Sequence, residues 1–470
     1  MRQDSWTEFV AGLTVFFTMA YAPFVNALVL GDPKVGMPEG PVFYATCLAA
    51  AIGSALCGWY AKTPTALAPG MAFNAFIAQY MKQSALTWPE VLAVCFFVGL
   101  ALLLMSQSGF RRKVIEAIPR PIKIAVIGGI GALLAELAIS IVFPHEQQNS
   151  ALHSVQHSDK MTYLFVFGVV VILLLNVTLR NYAKKFEAEK RPGLARTLDL
   201  LGRSGLLISV IAVAAGFHLL GIEAATVPAD TCFWPWTCQP GSLSKIGGLS
   251  GHLLAAIPLA IFIIYMLFAD IAGSPYHLLP SDEPDRDAKI DRSYIVDSAM
   301  NMIAPILGTT PVVFYAENNA GKLVGAKSGA TASWVAACFL LLAGVGALFS
   351  YLGKPLFELI PQIAVAPALF AVGLFVIASS FSNAEIWPEP GVSEEQEGST
   401  ESFLPAAVSI ILTPVGLEYG LAGGLLAYYF YFILVPQAAQ PAHQKVDPRL
   451  HIFAFIAFFA ILVKLGITAS

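Results

Sequence analysis

Charge is what this 470-residue chain has least of: 12% of its residues are Asp, Glu, Lys or Arg, against roughly a quarter in a soluble globular chain. That shortage excludes the two or three water-facing domains into which a soluble chain of this length usually divides, because too few polar residues remain to cover them. No Gly-x-x-x-x-Gly-Lys-Ser/Thr loop is present, which argues against an ATP-driven transporter subunit. Cysteine is sparse at six, and no Cys/His cluster has the spacing of a catalytic metal site. His145, His153 and His157 also lack metal-ligand spacing. No nucleophile–base pair stands out, so neither an enzyme activity nor a cofactor is expected. A cleavable leader is not evident either: residues 1–8 are short and polar, and the apolar run after them has no clear small-residue cleavage site.

What is present is apolar residue in long blocks, 57% of the chain in all, as at 91–105, 161–179 and 334–348. A block near 20 residues matches the hydrocarbon thickness of a bilayer. Backbone groups in lipid must be satisfied within the segment, so such blocks become helices. The alternation of a membrane β-barrel is missing. The fold expected is an all-α polytopic membrane protein with about fourteen spans, near 8–30, 42–60, 64–82, 89–108, 121–143, 161–179, 204–221, 251–273, 293–308, 311–326, 330–350, 362–381, 402–415 and 417–436. The stretch 451–467 is either a further span or a segment lying on the membrane, and the acidic stretch 387–401 reads as a connecting loop.

Lys and Arg concentrate in two connections, 111–123 and 180–203. The excess of basic residues on the cytoplasmic side then sets the N-terminus inside, in a cell (inner or plasma) membrane. Topology accounts for these basic runs, and they make no case for a nucleic-acid partner. The connection 221–247 falls outside with a single basic residue, Lys245, and holds Cys232 and Cys238. An oxidising exterior permits a disulfide there, and two free thiols fit as well. Cys47, Cys57, Cys95 and Cys338 lie in apolar spans and read as packing residues.

Two short segments are interrupted by proline and glycine. The first reads Lys-Thr-Pro-Thr-Ala-Leu-Ala-Pro-Gly-Met-Ala-Phe-Asn, from Lys62 to Asn74; the second reads Gly-Thr-Thr-Pro-Val-Val-Phe-Tyr-Ala-Glu-Asn-Asn-Ala-Gly, from Gly308 to Gly321. Thr63-Pro64 and Thr310-Pro311 lie 247 positions apart, close to half the chain. Proline and the residue before it resist continuing a helix, so each break is expected to run extended through Pro64–Pro69 or from Pro311, then start a half-helix near Gly70 or Glu317. Irregular backbone at membrane depth survives only where it is buried in protein or lines a cavity. Two such breaks in corresponding positions of two halves point to a transporter's central site.

Ionisable residues inside the apolar zone narrow the chemistry, because an intramembrane carboxylate is expensive and faces a cavity or a partner. Asp270 ends one apolar run, and Glu317 sits beside Asn318 and Asn319 in the second break. Two carboxylates can hold a polar ligand by charge-assisted hydrogen bonds. Burial penalises the charged form of such a group, which is the property proton-coupled uptake uses. Asn74 both donates and accepts, which suits the edge of a heteroaromatic ring, and Phe73 and Phe314 can stack on a flat ligand. Each of these has a plainer reading too: Asn74 as a bond between helices, the two Phe as core, and Glu136 as a structural acid instead of a second proton site or gate.

At these residues the chain resembles a known family. Gly12-Leu-Thr-Val-Phe-Phe-Thr-Met-Ala-Tyr21 through Asn26, Phe43 to Gly53, and Ala66-Leu-Ala-Pro-Gly-Met-Ala-Phe-Asn-Ala-Phe76 are similar to the azaguanine/hypoxanthine-type purine permeases, members of the nucleobase–cation symporters, also called nucleobase–ascorbate transporters. The similarity continues through Ala117 to Lys123, Ile127 to Gly131 and Asp297 to Gly329, covering most of the spans. The resemblance implies fourteen spans in two inverted repeats of seven. It implies a core domain (residues 1–110 and 249–352, spans 1–4 and 8–11) moving against a gate domain (111–248 and 353–470, spans 5–7 and 12–14 plus the C-terminal apolar segment), usually in a homodimer. It also implies proton-coupled import of a purine nucleobase by alternating access, with Asp270 and Glu317 as the acids of spans 8 and 10 and Asn74 as the polar residue of span 3. The chain departs from its relatives just after both acids. Asp270-Ile-Ala-Gly-Ser-Pro-Tyr replaces Asp-Thr-Ala-Gly-Thr, and Glu317-Asn-Asn-Ala-Gly321 replaces Glu-Ser-Ala-Ala-Gly. The Asn pair is similar to the uracil/xanthine branch, so uracil or xanthine stays open as ligand, as does an anion on the same fold. A channel or a non-transporting membrane scaffold is the alternative outside the transport class.

Overall fold

The apolar runs are helices in the computed structural model, which describes residues 2–107, 120–143, 153–179, 204–222, 234–238, 245–269, 275–280, 282–315, 317–352 and 360–382, with isolated positions between 181 and 202 and at 408. Among the described residues, six helices are long and apolar enough to cross a membrane, and shorter apolar helices lie at 131–142, 205–219 and 363–375. Apart from position 408, the expected spans at 402–415 and 417–436, the loop 387–401 and the stretch 451–467 lie outside the described residues, as do Asp270 and Cys232.

Span 1 is two helices, α1 (Arg2–Met19) and α2 (Ala22–Leu30). The chain turns at Ala20 and Tyr21, just ahead of Pro23, whose missing N–H and fixed φ suit the first turn of a new helix. Span 2 is α3 (Glu39–Leu56), prolonged by a π-helical turn at Cys57–Ala61. Then comes the first break, with β1 (Leu67–Pro69) and α4 (Met71–Gln83). Spans 4 to 7 include α5 (Trp88–Gln107), α6 (Arg120–Val142), α7 (His153–Leu173, with a π turn at Leu174–Leu179) and α8 (Gly205–Leu219). A short α9 (Pro235–Cys238) and a 3-10 turn at Ile246–His252 lead into α10 (Leu253–Ala269) and a short α11 (Pro275–Leu278). The second repeat continues with α12 (Arg286–Leu307), β2 (Val312–Phe314), α13 (Asn318–Val324), α14 (Gly329–Tyr351) and α15 (Gln362–Ser382). Helix α12 starts seven residues before the expected 293. Its first turns, Arg-Asp-Ala-Lys-Ile-Asp-Arg, are polar, and hydropathy marks the part of a helix that meets lipid, not where the helix begins.

The helices pack in two groups. In one, α3 lies against α2, α12 and α14, α5 runs along α12, and α1 packs on α13 and α14. In the other, α6 runs along α15, and α7 and α8 pack on α15 and on each other. At the centre of the second group two glycines meet. A Cβ on Gly131 would come within 2.6 Å of the Gly373 carbonyl, and one on Gly373 within 2.6 Å of the Gly131 carbonyl. Only hydrogen at both positions lets α6 and α15 cross backbone to backbone.

Candidate functional site

The two broken segments meet each other. β1 pairs antiparallel with β2 in the register Leu67↔Phe314, Ala68↔Val313 and Pro69↔Val312. An antiparallel pair is what an inverted relation between the two halves gives. Gly70 N–H donates to the Pro311 carbonyl (3.0 Å) and caps α4 from the opposite strand.

A two-stranded sheet has two outer edges, and unpaired backbone groups there are costly where no water reaches. Here each edge is closed by one side chain from the preceding span. Leu67 N–H donates to Ser54 Oγ (3.2 Å), and the Ser54 hydroxyl donates to the Leu67 carbonyl (3.4 Å). Val312 N–H donates to Asn301 Oδ1 (2.9 Å), and Asn301 Nδ2 donates to the Val312 carbonyl (3.2 Å). Ser54 and Asn301 are separated by the same 247 positions as the two Thr-Pro breaks. One helical stretch earlier, Thr46 on α3 shares a hydrogen bond with Thr309 (3.3 Å), and its counterpart 247 residues on, Ser293 on α12, shares one with Thr63 (3.1 Å). Each repeat thus grips the other's break.

The sequence-predicted site residues divide between this frame and the space beside it. Asn74 is fully buried on α4, and both ends of its amide are engaged: Nδ2 donates to Asn26 Oδ1, and the Thr310 hydroxyl donates to its Oδ1. Asn318 holds both backbone groups of Ala66, accepting from the N–H (2.8 Å) and donating to the carbonyl (3.0 Å). Phe73 and Phe314 are buried among core residues, and Phe314 lies edge-on to Tyr294 with ring centroids 6.1 Å apart. Pro64, Pro69, Gly70 and Pro311 fall in the breaks as the pattern requires, with helix N-caps at Gly70 and Glu317. Glu136 is half-buried on α6. Asp270 follows the last described residue of α10 and is outside the described residues.

Glu317 is different from the frame residues. It stands half-buried at the start of α13, and its Oε1 accepts from the Tyr21 hydroxyl at 3.1 Å. Tyr21 itself is 1% exposed and sits in the interruption of span 1. Sequence reasoning missed Tyr21, Asn26, Thr46, Ser54, Ser293 and Asn301. A signal for four of them existed: the 247-residue offset of the Thr-Pro pair, applied to the neighbouring polar residues, pairs Thr46 with Ser293 and Ser54 with Asn301. The Tyr-Ala-Pro interruption in span 1 was the signal for Tyr21.

Two contacts fasten one end of this group. Glu90, buried at the start of α5, accepts from the Thr87 N–H and hydroxyl (2.7 Å each) and lies 2.8 Å from His252 Nδ1. The indoles of Trp234 and Trp236 donate to the last carbonyls of α12, at Pro305 and Ile306. Among the described residues, no group of three or more His, Cys, Asp or Glu could hold a metal ion.

Paired strands between two broken membrane helices, in a chain of apolar spans, define a membrane permease. The Permease family profile (Xan_ur_permease) matches residues 7–386, and the chain belongs to that family, in line with the resemblance carried by its first three spans. The guanine/hypoxanthine permease PbuG of Bacillus subtilis is 28% identical, with 97% of this chain and 96% of PbuG aligned. The adenine permease AdeP of Escherichia coli is 26% identical over 90% of this chain and 86% of its own. These relatives are permeases and not enzymes. Among solved structures, the transmembrane domain of the cyanobacterial bicarbonate transporter BicA superposes with a TM-score of 0.54 at 14% identity, covering 89% of this chain and 97% of that one. SLC26A9 superposes at 0.52 and 12% identity, covering 92% of this chain and 66% of that one. The fold is that of these transporters: a multi-pass helical membrane protein in two inverted repeats.

Proposed function

We propose that this permease imports a purine nucleobase, such as hypoxanthine, guanine or adenine, in symport with protons and by alternating access. The observation that carries the reading is Glu317. It is a half-buried carboxylate next to the strand pair, in a chain whose long relatives are guanine/hypoxanthine and adenine permeases. A carboxylate accepts from the N–H groups that line a purine's edge, and gains from doing so away from water. On this reading Glu317 and Asp270 orient the base, and one of them carries the proton. Asn74 and Asn318 support those acids by tying the two breaks together, and Phe73 and Phe314 are the aromatic rings proposed to stack on the base.

Among the described residues, the two packing groups support a core of spans 1–4 and 8–11 and a gate that includes spans 5–7 and 12, which the expected spans 13 and 14 would complete. Movement of one against the other would open the site to each side in turn. The bias of basic residues supports a cytoplasmic N-terminus in the inner or plasma membrane, and a homodimer completes the proposal.

The test is uptake of radiolabelled hypoxanthine, guanine and adenine into proteoliposomes, with and without an inward proton gradient. Saturable uptake of at least one purine, accelerated by the gradient, is expected. Glu317→Gln and Asp270→Asn should each reduce it at least tenfold. Full uptake and coupling in both variants would sink the site assignment. The likeness to the bicarbonate transporter favours a second reading, an anion carrier. An acid facing the site opposes it, and bicarbonate flux in the same vesicles decides between the two.

A further inference from the structure

We propose that Tyr21 is the positioning residue for the Glu317 carboxylate, an inference that rests on Glu317 being a ligand-binding acid. The last torsion of a glutamate is broad and roughly two-fold, so a carboxylate at the start of a short helix turns freely unless something holds one oxygen. Among the described residues, Tyr21 is the side chain whose hydrogen bond to that carboxylate is seen, to Oε1 at 3.1 Å across 296 positions of sequence. A carboxylate has about four lone-pair sites, so this bond holds Oε1 and leaves Oε2 for a ligand N–H. Tyr21 is 1% exposed while Glu317 is half-buried. The tyrosine therefore acts through Glu317 and does not itself form the ligand surface.

Packing explains how a residue of span 1 reaches the start of α13. Tyr21 lies in the turn between Met19 and Ala22 with helical backbone angles (φ −71°, ψ −24°), and its hydroxyl reaches Glu317 at the start of α13. Helix α1 packs on α13 and α2 packs on α4. Span 1 thus runs beside both half-helices, with Tyr21 at the acid.

The experiment uses the full-length protein in proteoliposomes with radiolabelled hypoxanthine, guanine and adenine as probes, together with thermal unfolding of the purified protein titrated with the same bases. Tyr21→Phe keeps the ring and removes the hydroxyl. It is expected to raise KM and the dissociation constant for the transported base about tenfold, the scale of one lost charge-assisted hydrogen bond, with Vmax within twofold and the ligand-free melting temperature unchanged. Raised KM at constant Vmax is the signature of lost binding shared by ground and transition states. Tyr21→Leu removes the ring as well and reports packing. If Phe restores full affinity and only Leu loses it, the tyrosine is structural and the proposal is overturned. In a Glu317→Gln background, Tyr21→Phe should change the residual affinity by less than twofold, and a full additive loss would also overturn it. A silent Glu317→Gln would instead bring down the reading of Glu317 itself. The two failures are therefore told apart.

Discussion

The first and second broken segments do the same job with different parts. Both pass from a helix into a left-handed residue, a Thr-Pro, a three-residue strand and a half-helix. The first makes the turn with Lys62 (φ 58°) and the second with Gly308 (φ 96°). The first strand's edge is closed by a serine at 3.2–3.4 Å, the second by a carboxamide at 2.9–3.2 Å. The first opens α4 with Gly70, and the second opens α13 with an acid. The shared parts are those that let backbone bend inside a membrane, and the parts that differ include Glu317, the acid proposed to meet the ligand. Symmetry supplies the frame, and the proposed ligand acid is a departure from it.

The comparison breaks first at Asn301. Asn301→Leu leaves the Val312 N–H and carbonyl without partners in a dry interior, and should lower unfolding stability by about 4 kcal/mol, read as the denaturation midpoint in detergent. Gly308→Ala comes next, at about 2–3 kcal/mol. It forces a side chain into a left-handed turn and sets a Cβ 2.4 Å from the Pro235 ring. Ser54→Ala, the mirror of Asn301→Leu, should cost about 1 kcal/mol, since its bonds are longer and one is marginal. An equal loss at both positions would mean the two edges are equivalent and the asymmetry is without consequence. The smallest effect has the opposite sign. Lys62→Gly relieves the left-handed strain and should gain up to about 1 kcal/mol, visible as a raised melting temperature.

Much of the frame could be read from residues alone, because apolar length and Thr-Pro breaks are local signals. Among the described residues, the apolar spans lie in helices near the expected positions, and both breaks and the helix starts at Gly70 and Glu317 fall where those signals put them. What could not be read was partnership. Asn74 reads equally as a ligand group or as a bond between helices, and it is seen engaged by Asn26 and Thr310, 48 and 236 positions away. Serine and threonine in membrane helices usually bond their own preceding turn, as Thr18 does to Thr14, so nothing local singled out Thr46, Ser54 or Ser293. Tyr21 was hidden for the same reason: its acceptor lies in the other half of the chain.

The pairing of β1 with β2 also sets an order of events during synthesis. Leu67 finds its partner only when Phe314 has been made, 247 residues later. At a synthesis rate of about 5–20 residues per second, the first break waits tens of seconds with its strand unpaired. An isolated first half therefore enters the membrane carrying exposed backbone that it cannot satisfy alone, and it becomes stable only by assembly with the second. Two separately expressed halves, cut in the 221–247 connection, should each be short-lived and should rescue one another when made together.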